Sequence, residues 1–364
     1  MSLQLENISR AVDGVDYIRD ANLTFEAGSF NVLLGRTLAG KTSLMRLMAG
    51  LDRPDTGRLL YNGDDVTGQS VRKRNISMIY QQFINYPNLS VYENIASPLR
   101  LARLKEGEIE RRVRETAAML RIEGLLGRYP LELSGGQQQR TAMARALVKD
   151  ATLILFDEPL VNLDYKLREE LRSELRHLFR ERQCIAIYAT SEANEALALG
   201  GTTTLLHEGR VVQTGPVSEV YRRPVDTLAA ELFSEPPMNL LPGRVSETGL
   251  SFDQVADHAL TRELKGLSPG DYIFGIRPSH ASLRPAGEDD LEIPVTVELG
   301  EISGSATFLH VGTGQFDLVL EEPGVHQHRP GEKIRVYLPM NRLFVFGTDQ
   351  QLVHTPADTG GLNG

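Results

Sequence analysis

Eight consecutive residues, Gly35-Arg36-Thr37-Leu38-Ala39-Gly40-Lys41-Thr42, constrain this chain more than any other segment. They fit the pattern Gly, four residues, Gly, Lys, Ser/Thr, and Ser43 follows them. The run Ser29 to Leu34 before them reads as a strand. Lys41 to Ala49 after them reads as a helix, closed by Gly50 and by Pro54, which cannot continue it. Glycines let such a loop curl so that successive backbone N–H groups face one point, with the positive end of a helix behind them. That is a phosphate cradle. Lys41 adds a point charge and Thr42 a hydroxyl suited to Mg²⁺.

The rest of the first two thirds agrees with an α/β fold. Strand-like runs occur at Leu3 to Ile8 and Ala21 to Phe25, then at Leu153 to Phe156 and Ile185 to Ala189. A charged helix from about Lys166 to Arg180 separates the last two, so the sheet is expected to be largely parallel. From about Leu89 to Arg128 the texture is helical, with Ile109, Val113, Ala117 and Leu120 forming one apolar stripe among Glu and Arg.

Two further segments carry chemistry. Asp157 and Glu158 follow the apolar run Leu153 to Phe156, at the kind of strand end where parallel sheets build ligand sites. Asp157 is suited to the Mg²⁺ hydration shell, and Glu158 to orienting the attacking water. Ser134-Gly135-Gly136-Gln137 precedes a helix expected from Gln138 to Val148. Ser134 can cap that helix and the glycines expose N–H groups, which makes a second anion-binding helix start. One nucleotide hardly needs two cradles.

The order of these motifs resembles the ATP-binding subunits of ATP-binding cassette transporters. In that family two subunits dimerise head to tail, so the signature loop of one, here Ser134 to Gln137, closes on the nucleotide held by the other. The resemblance implies ATP and Mg²⁺ as cofactors, with Thr42, Gln81 and Asp157 at the metal and Glu158 and Gln81 at the water. Gln81 lies in Met78-Ile79-Tyr80-Gln81-Gln82, with Gln82 its neighbouring rival. Asn162-Leu163-Asp164 resembles the loop by which each subunit touches the other's site, which brings Asp164 among the nucleotide-side residues.

Beyond the break at Ser234 to Pro237, the chain turns to short β runs: Ile293 to Leu299, Ala306 to Val311, Gln315 to Leu320 and Lys333 to Leu338. These read as a small barrel or sandwich. Asn239 to Gly243, Gly275-Ile276-Arg277-Pro278 and Asn341 to Phe346 resemble the OB-like accessory domain of sugar-uptake ATPases of the maltose and glycerol-phosphate type. The expected organisation is an ATPase domain over 1–235, with a helical subdomain at about 89–150. An OB-like domain follows over 236–355, then a tail over 356–364.

The departures from the family are one-sided. Relatives follow the strand after the metal carboxylates with Thr-His-Asp, the histidine gripping the γ-phosphate. This chain has Thr190-Ser191-Glu192, which puts Ser191 in the histidine's place. A hydroxyl makes a neutral hydrogen bond where an imidazole reaches farther and can carry charge. The family's adenine-stacking aromatic is replaced by Val12, by alignment on Asn7 and Asn22-Leu23, with Tyr17 a substitute by another route. Both defects fall on this chain's own nucleotide, while the motif serving a partner's is complete. The expectation is the degenerate half of an ATPase heterodimer, with weak hydrolysis at its own site.

Composition narrows the setting. With 48 acidic against 39 basic residues the formal charge is −9, which argues against a dedicated nucleic-acid binder. A single cysteine, Cys184, fits a reducing compartment. No run approaches the ~20 apolar residues that span a bilayer. The resemblance implies a place at the cytoplasmic face of the membrane, bound to two transmembrane permease subunits and indirectly to an extracytoplasmic solute-binding protein. The solute is expected to be a carbohydrate or polyol, glycerol systems resembling it best through Arg36 to Ser43. A non-hydrolysing ATP-dependent scaffold and a homodimeric importer ATPase are the alternatives.

Overall fold

The structure, a computed structural model, describes residues 1–160, 165–181, 184–252, 256–261 and 264–356. The chain divides into two compact units, Met1–Val217 and Ser218–Gly364.

The first unit opens with the hairpin β1 (Ser2–Val12) and β2 (Val15–Glu26), then β3 (Phe30–Leu34) and α1 (Lys41–Ala49). Next come β4 (Thr56–Tyr61), β5 (Asp64–Asp65) and β6 (Ile76–Ile79). The helices α2 (Val91–Leu101), α3 (Glu106–Met119) and α4 (Gly135–Leu147) follow. The unit closes with β7 (Leu153–Asp157), α5 (Tyr165–Glu181), β8 (Ile185–Thr190), α6 (Ala193–Leu199), β9 (Thr202–His207) and β10 (Arg210–Pro216). The helical texture expected over 89–128 is therefore two helices, because the chain turns between them at Arg103, in the left-handed region at φ 58°.

The main sheet has the order β10-β9-β3-β8-β7-β6, parallel from β9 to β6 with β10 antiparallel at its edge. Every residue of β7 and of β8 is buried, as expected of parallel strands covered on both faces. β8 lies between β3 and β7, so the carboxyl ends of all three meet. A second, antiparallel sheet, β2-β1-β4-β5, shares one core with the main sheet and α1. In α3, Ile109, Val113 and Ala117 are buried on one stripe, with Leu120 just beyond them.

The second unit contains α7 (Val217–Arg222), which begins at the division, and α8 (Thr227–Leu232). Its strands are β11 (Asn239–Val245), β12 (Gly249–Phe252), β13 (Ala256–Ala259), β14 (Gly270–Ile276), β15 (Asp290–Ser303), β16 (Ala306–Gly312), β17 (Asp317–Pro323), β18 (Lys333–Pro339), β19 (Phe344–Phe346) and β20 (Leu352–His354). They form two antiparallel sheets, β13-β12-β11-β14-β19-β20 and β17-β16-β15-β18, over one apolar core. The division falls at 217/218, upstream of the break at Ser234 to Pro237 that suggested 235. The cause is α8: Ala230 packs with Met238, Phe344 and Phe346, and the Thr227 N–H donates to the Gln350 carbonyl at 3.1 Å. Arg277, buried in the Gly-Ile-Arg-Pro run, has its guanidinium 3.7 Å from the centre of the Tyr221 ring and 4.8 Å from that of Phe344. It also donates to the Tyr221 carbonyl at 2.6 Å.

Candidate functional site

The loop between β3 and α1 is shaped by what surrounds its glycines. A side chain at Gly35 would strike the Leu206 carbonyl, and a Cβ at Gly40, where φ is 101°, would stand 2.7 Å from the Tyr17 carbonyl. Leu38 occupies the left-handed region at φ 67° with its side chain 89% exposed, a conformation that glycine adopts at lower cost. Arg36 and Thr37 are exposed, Ala39 is buried, and Ser43 lies in the first turn of α1. At Gly35 and Gly40 the loop runs directly against neighbouring backbone, which fixes its path.

Five predicted side chains converge at the carboxyl ends of β3, β6 and β7. Lys41, 5% exposed, donates to the Gly35 carbonyl at 2.6 Å and lies 3.2 Å from Glu158 Oε1. The Thr42 hydroxyl donates to Asp157 at 2.8 Å. Gln81 Nε2 reaches Glu158 Oε2 at 3.4 Å, so Gln81, not Gln82, points to the carboxylates. Burial pushes the Asp157 carboxyl above the usual carboxylate range, against the Thr42 hydrogen bond, and the neighbouring Glu158 adds to the rise. Glu158 sits in the left-handed region at φ 46°, its N–H donating to the Ala189 carbonyl at 3.1 Å.

β8 ends beside this cluster. The Thr190 carbonyl accepts the Gly35 N–H at 3.3 Å, and Ser191, the next residue, is exposed. The Thr190 and Tyr188 hydroxyls both donate to Glu195, a buried carboxylate to which the sequence analysis assigns no role. Its signal was an acid on the apolar side of the short helix α6.

The second cradle is separately built. Ser134 caps α4, with its hydroxyl accepting the Gln137 N–H at 3.4 Å and the Gln137 side chain accepting the Ser134 N–H at 3.0 Å, a reciprocal capping box. The helix starts at Gly135, earlier than Gln138 as expected, because that cap lies at Ser134. A Cβ at Gly135 would meet nothing within 4 Å, which leaves this helix start open on its outer side. Val12 ends β1 and is 42% exposed, offering no aromatic face. Tyr17 is 41% exposed, its backbone against Gly40. Asp164, with Asn162 and Leu163, lies outside the described residues, as does the tail from 357 onward.

The family model described as ABC transporter matches residues 18–161, and that described as TOBE domain matches residues 274–346. The sn-glycerol-3-phosphate import ATP-binding protein UgpC of Salmonella typhimurium is 36% identical over 349 residues, covering 94% of this chain and 97% of the relative. The UgpC protein of Paraburkholderia xenovorans is 35% identical over 354 residues, covering 95% and 97%. This chain belongs to the ABC transporter ATPases. Among solved structures, the dimeric ATP-binding cassette MJ0796 in a post-hydrolysis state with ADP and Pi matches 59% of this ABC ATPase and 98% of its own chain, with TM-score 0.54 and 27% identity.

As an ABC transport ATPase the chain uses ATP and Mg²⁺. Its residues fit both. Gly35 and Gly40 stand where a Cβ does not fit, and Thr42 with Asp157 offers hydroxyl and carboxylate oxygens, the hard ligands Mg²⁺ takes. Bound Mg²⁺ supplies charge neutralisation at the phosphates. The Lys41 ammonium lies against Glu158 and two loop carbonyls.

Proposed function

We propose that this ATPase is the nucleotide-binding subunit of an importer for a small polyol or its phosphate. It would be peripheral at the cytoplasmic face of the membrane and joined to two permease subunits, with an extracytoplasmic binding protein delivering solute. The relatives named for sn-glycerol-3-phosphate import, at 35 to 36% identity over nearly the whole chain, support that solute class. Among the described residues no helix is long and apolar enough to cross a membrane, so any passage for solute is formed by other subunits.

Within the site we assign Gly35 to Ser43 to the phosphates and Thr42, Asp157 and Gln81 to Mg²⁺. Glu158, with Gln81, orients the attacking water. Ser134 to Gln137 serve the nucleotide of the facing subunit, and Asp164 belongs to the same interface. The subunit pairs with a different ATPase and leaves most hydrolysis to that partner's phosphate loop. The observation that carries this asymmetry is Ser191, an exposed hydroxyl where relatives place an imidazole. Purified alone, the chain is expected to bind ATP and turn it over slowly. Complexes isolated from membranes through a tag on this chain should contain a second, distinct ATPase and hydrolyse faster, and Gly135→Asp should abolish that faster rate.

One observation favours a symmetric pair. Lys41, Thr42, Asp157, Glu158 and Gln81 are all in place in this chain. Isolation of complexes holding two copies of this chain and no other ATPase would establish that reading instead.

A further inference from the structure

Glu195 is 4% exposed, and its two oxygens accept different hydroxyls: Oε1 from Tyr188 at 2.7 Å and Oε2 from Thr190 at 2.5 Å. Burying a carboxylate is costly, and this one has no ion pair of its own among the described residues. The charged neighbours that act on it are Glu192, which opposes its ionisation, and Arg172, which favours it; Arg172 itself pairs with Glu169. Burial holds its pKa above the usual carboxylate range. An apolar side chain would join α6 to β8 at lower cost. The carboxylate therefore calls for a reason beyond cohesion, and its position supplies one.

The Thr190 hydroxyl that donates to Glu195 also accepts the Glu192 N–H at 3.0 Å, closing the turn that contains Ser191. Thr190 is the last residue of β8. Its carbonyl holds the Gly35 N–H, and the carbonyl of Ala189 just before it holds the Glu158 N–H at 3.1 Å. Glu158 is in the left-handed region, a strained state that persists only where neighbours impose it. Tyr188 lies two residues farther back inside the strand, and its hydroxyl donates to the other Glu195 oxygen.

We propose that Glu195 is a positioning residue for ATP hydrolysis at this chain's own phosphate loop: through Thr190 it fixes the end of β8, whose carbonyls in turn set Glu158 and the first glycine of the cradle. The proposal rests on the ATPase assignment and is independent of whether the dimer is symmetric. Thr190→Val keeps shape and removes the tether. Glu195→Gln keeps size and replaces one acceptor oxygen by a donor NH₂, so the two hydroxyls can no longer both donate to the side chain. Tyr188→Phe costs a comparable buried hydrogen bond but leaves the tether whole, so it controls for stability alone.

The test is single-turnover cleavage of ATP by the purified full-length chain in excess, alongside nucleotide affinity and backbone amide exchange. Thr190→Val and Glu195→Gln are expected to slow cleavage about tenfold, the scale at which small misplacements of catalytic groups act. ATP affinity should stay within about twofold, since Lys41, Gly40 and Thr42 hold the cradle independently. The Glu158 amide should exchange faster in both variants. Thr190→Ser should restore rate and protection, and Tyr188→Phe should keep both while lowering the melting temperature.

Tyr188→Phe slowing cleavage as much as the other two would overturn the proposal, because the effect would then follow stability. Unchanged Glu158 exchange in both tether variants would overturn it equally. If the wild-type chain alone cleaves no ATP, the rates are compared in complexes isolated from membranes through a tag on this chain, and amide exchange at Glu158 decides in either case whether the tether positions that residue. Should Glu195→Gln fail to fold, Thr190→Val carries the comparison.

Discussion

The Gln139 side-chain amide donates to the carbonyl of Pro159, joining α4 to the turn that follows β7. Gln139 is 2% exposed, and Pro159 directly follows Glu158. The helix capped by Ser134 is thus bonded to the turn that carries Glu158. Gln139→Ala leaves a buried carbonyl without its donor and opens a small void, so a loss of ~2 kcal/mol is expected. Denaturant unfolding measures that cost. Phosphate release should fall as well, because the turn loses its brace.

Ser191 ends in solvent, one residue past a strand end that is firmly tied. An imidazole placed there inherits a fixed backbone. Ser191→His is expected to raise ATP turnover at this chain's own loop by an order of magnitude or more, since one transition-state contact of this kind is commonly worth ~3 kcal/mol. Steady-state phosphate release by the purified chain reads the gain, and an unchanged rate would remove the basis for calling the site degenerate.

Asp157 makes a pH-dependent prediction. Its carboxyl, raised by burial, binds a proton more readily in the folded chain than in the unfolded one. The resulting penalty on the nucleotide-free fold sets in as pH rises from the ordinary carboxylate range through the raised value, and it persists at neutral pH. Asp157→Asn removes that penalty. The variant should melt higher than wild type at neutral pH without nucleotide, with a margin that narrows on acidification. Mg²⁺-dependent ATP cleavage should be lost. Calorimetric scans at two pH values check the first statement and phosphate release the second.

Val12, where the resemblance places the adenine, has no aromatic face to offer it. Val12→Tyr is expected to tighten ATP binding by ~1 kcal/mol, about fivefold, at the lower end of the range for a base stacked on an aromatic ring. Tripolyphosphate, which has no base, should bind both forms equally. Titration with the two ligands separates stacking from any general tightening of the loop.

Arg277 tests the second unit. Its guanidinium faces the Tyr221 and Phe344 rings and donates to a carbonyl, a flat arrangement that an ammonium cannot reproduce. Arg277→Lys should destabilise this unit by ~1–2 kcal/mol, read as a lower melting transition.

The parts of the site legible in the sequence are those whose chemistry is local. The cradle from Gly35 to Thr42, the Asp157-Glu158 pair and the Ser134 to Gln137 cap each act within a few residues, so spacing alone exposes them. Gln139 with Pro159, and Glu195 with Tyr188 and Thr190, required the fold. A glutamine inside a helix and an acid on the buried side of a short one have ordinary sequence contexts, and only proximity reveals what they hold. The same applies to Arg103, whose left-handed backbone divides the helical pattern between Pro98 and Gly107, at a residue type that does not itself announce a turn. The unit boundary moved for a related reason: α8 packs on strands more than a hundred residues later, which no local break can signal.

The carbonyls of Tyr17 and Leu206, set against Gly40 and Gly35, come from the first hairpin and from β9, so the cradle is held from both sides by distant parts of one unit. A triphosphate arriving there meets a mould already set. Little chain freedom is surrendered on capture, and the speed of loading should answer to the firmness of the walls: a hairpin loosened at Asp13-Gly14 would slow nucleotide uptake without touching a single residue that contacts phosphate.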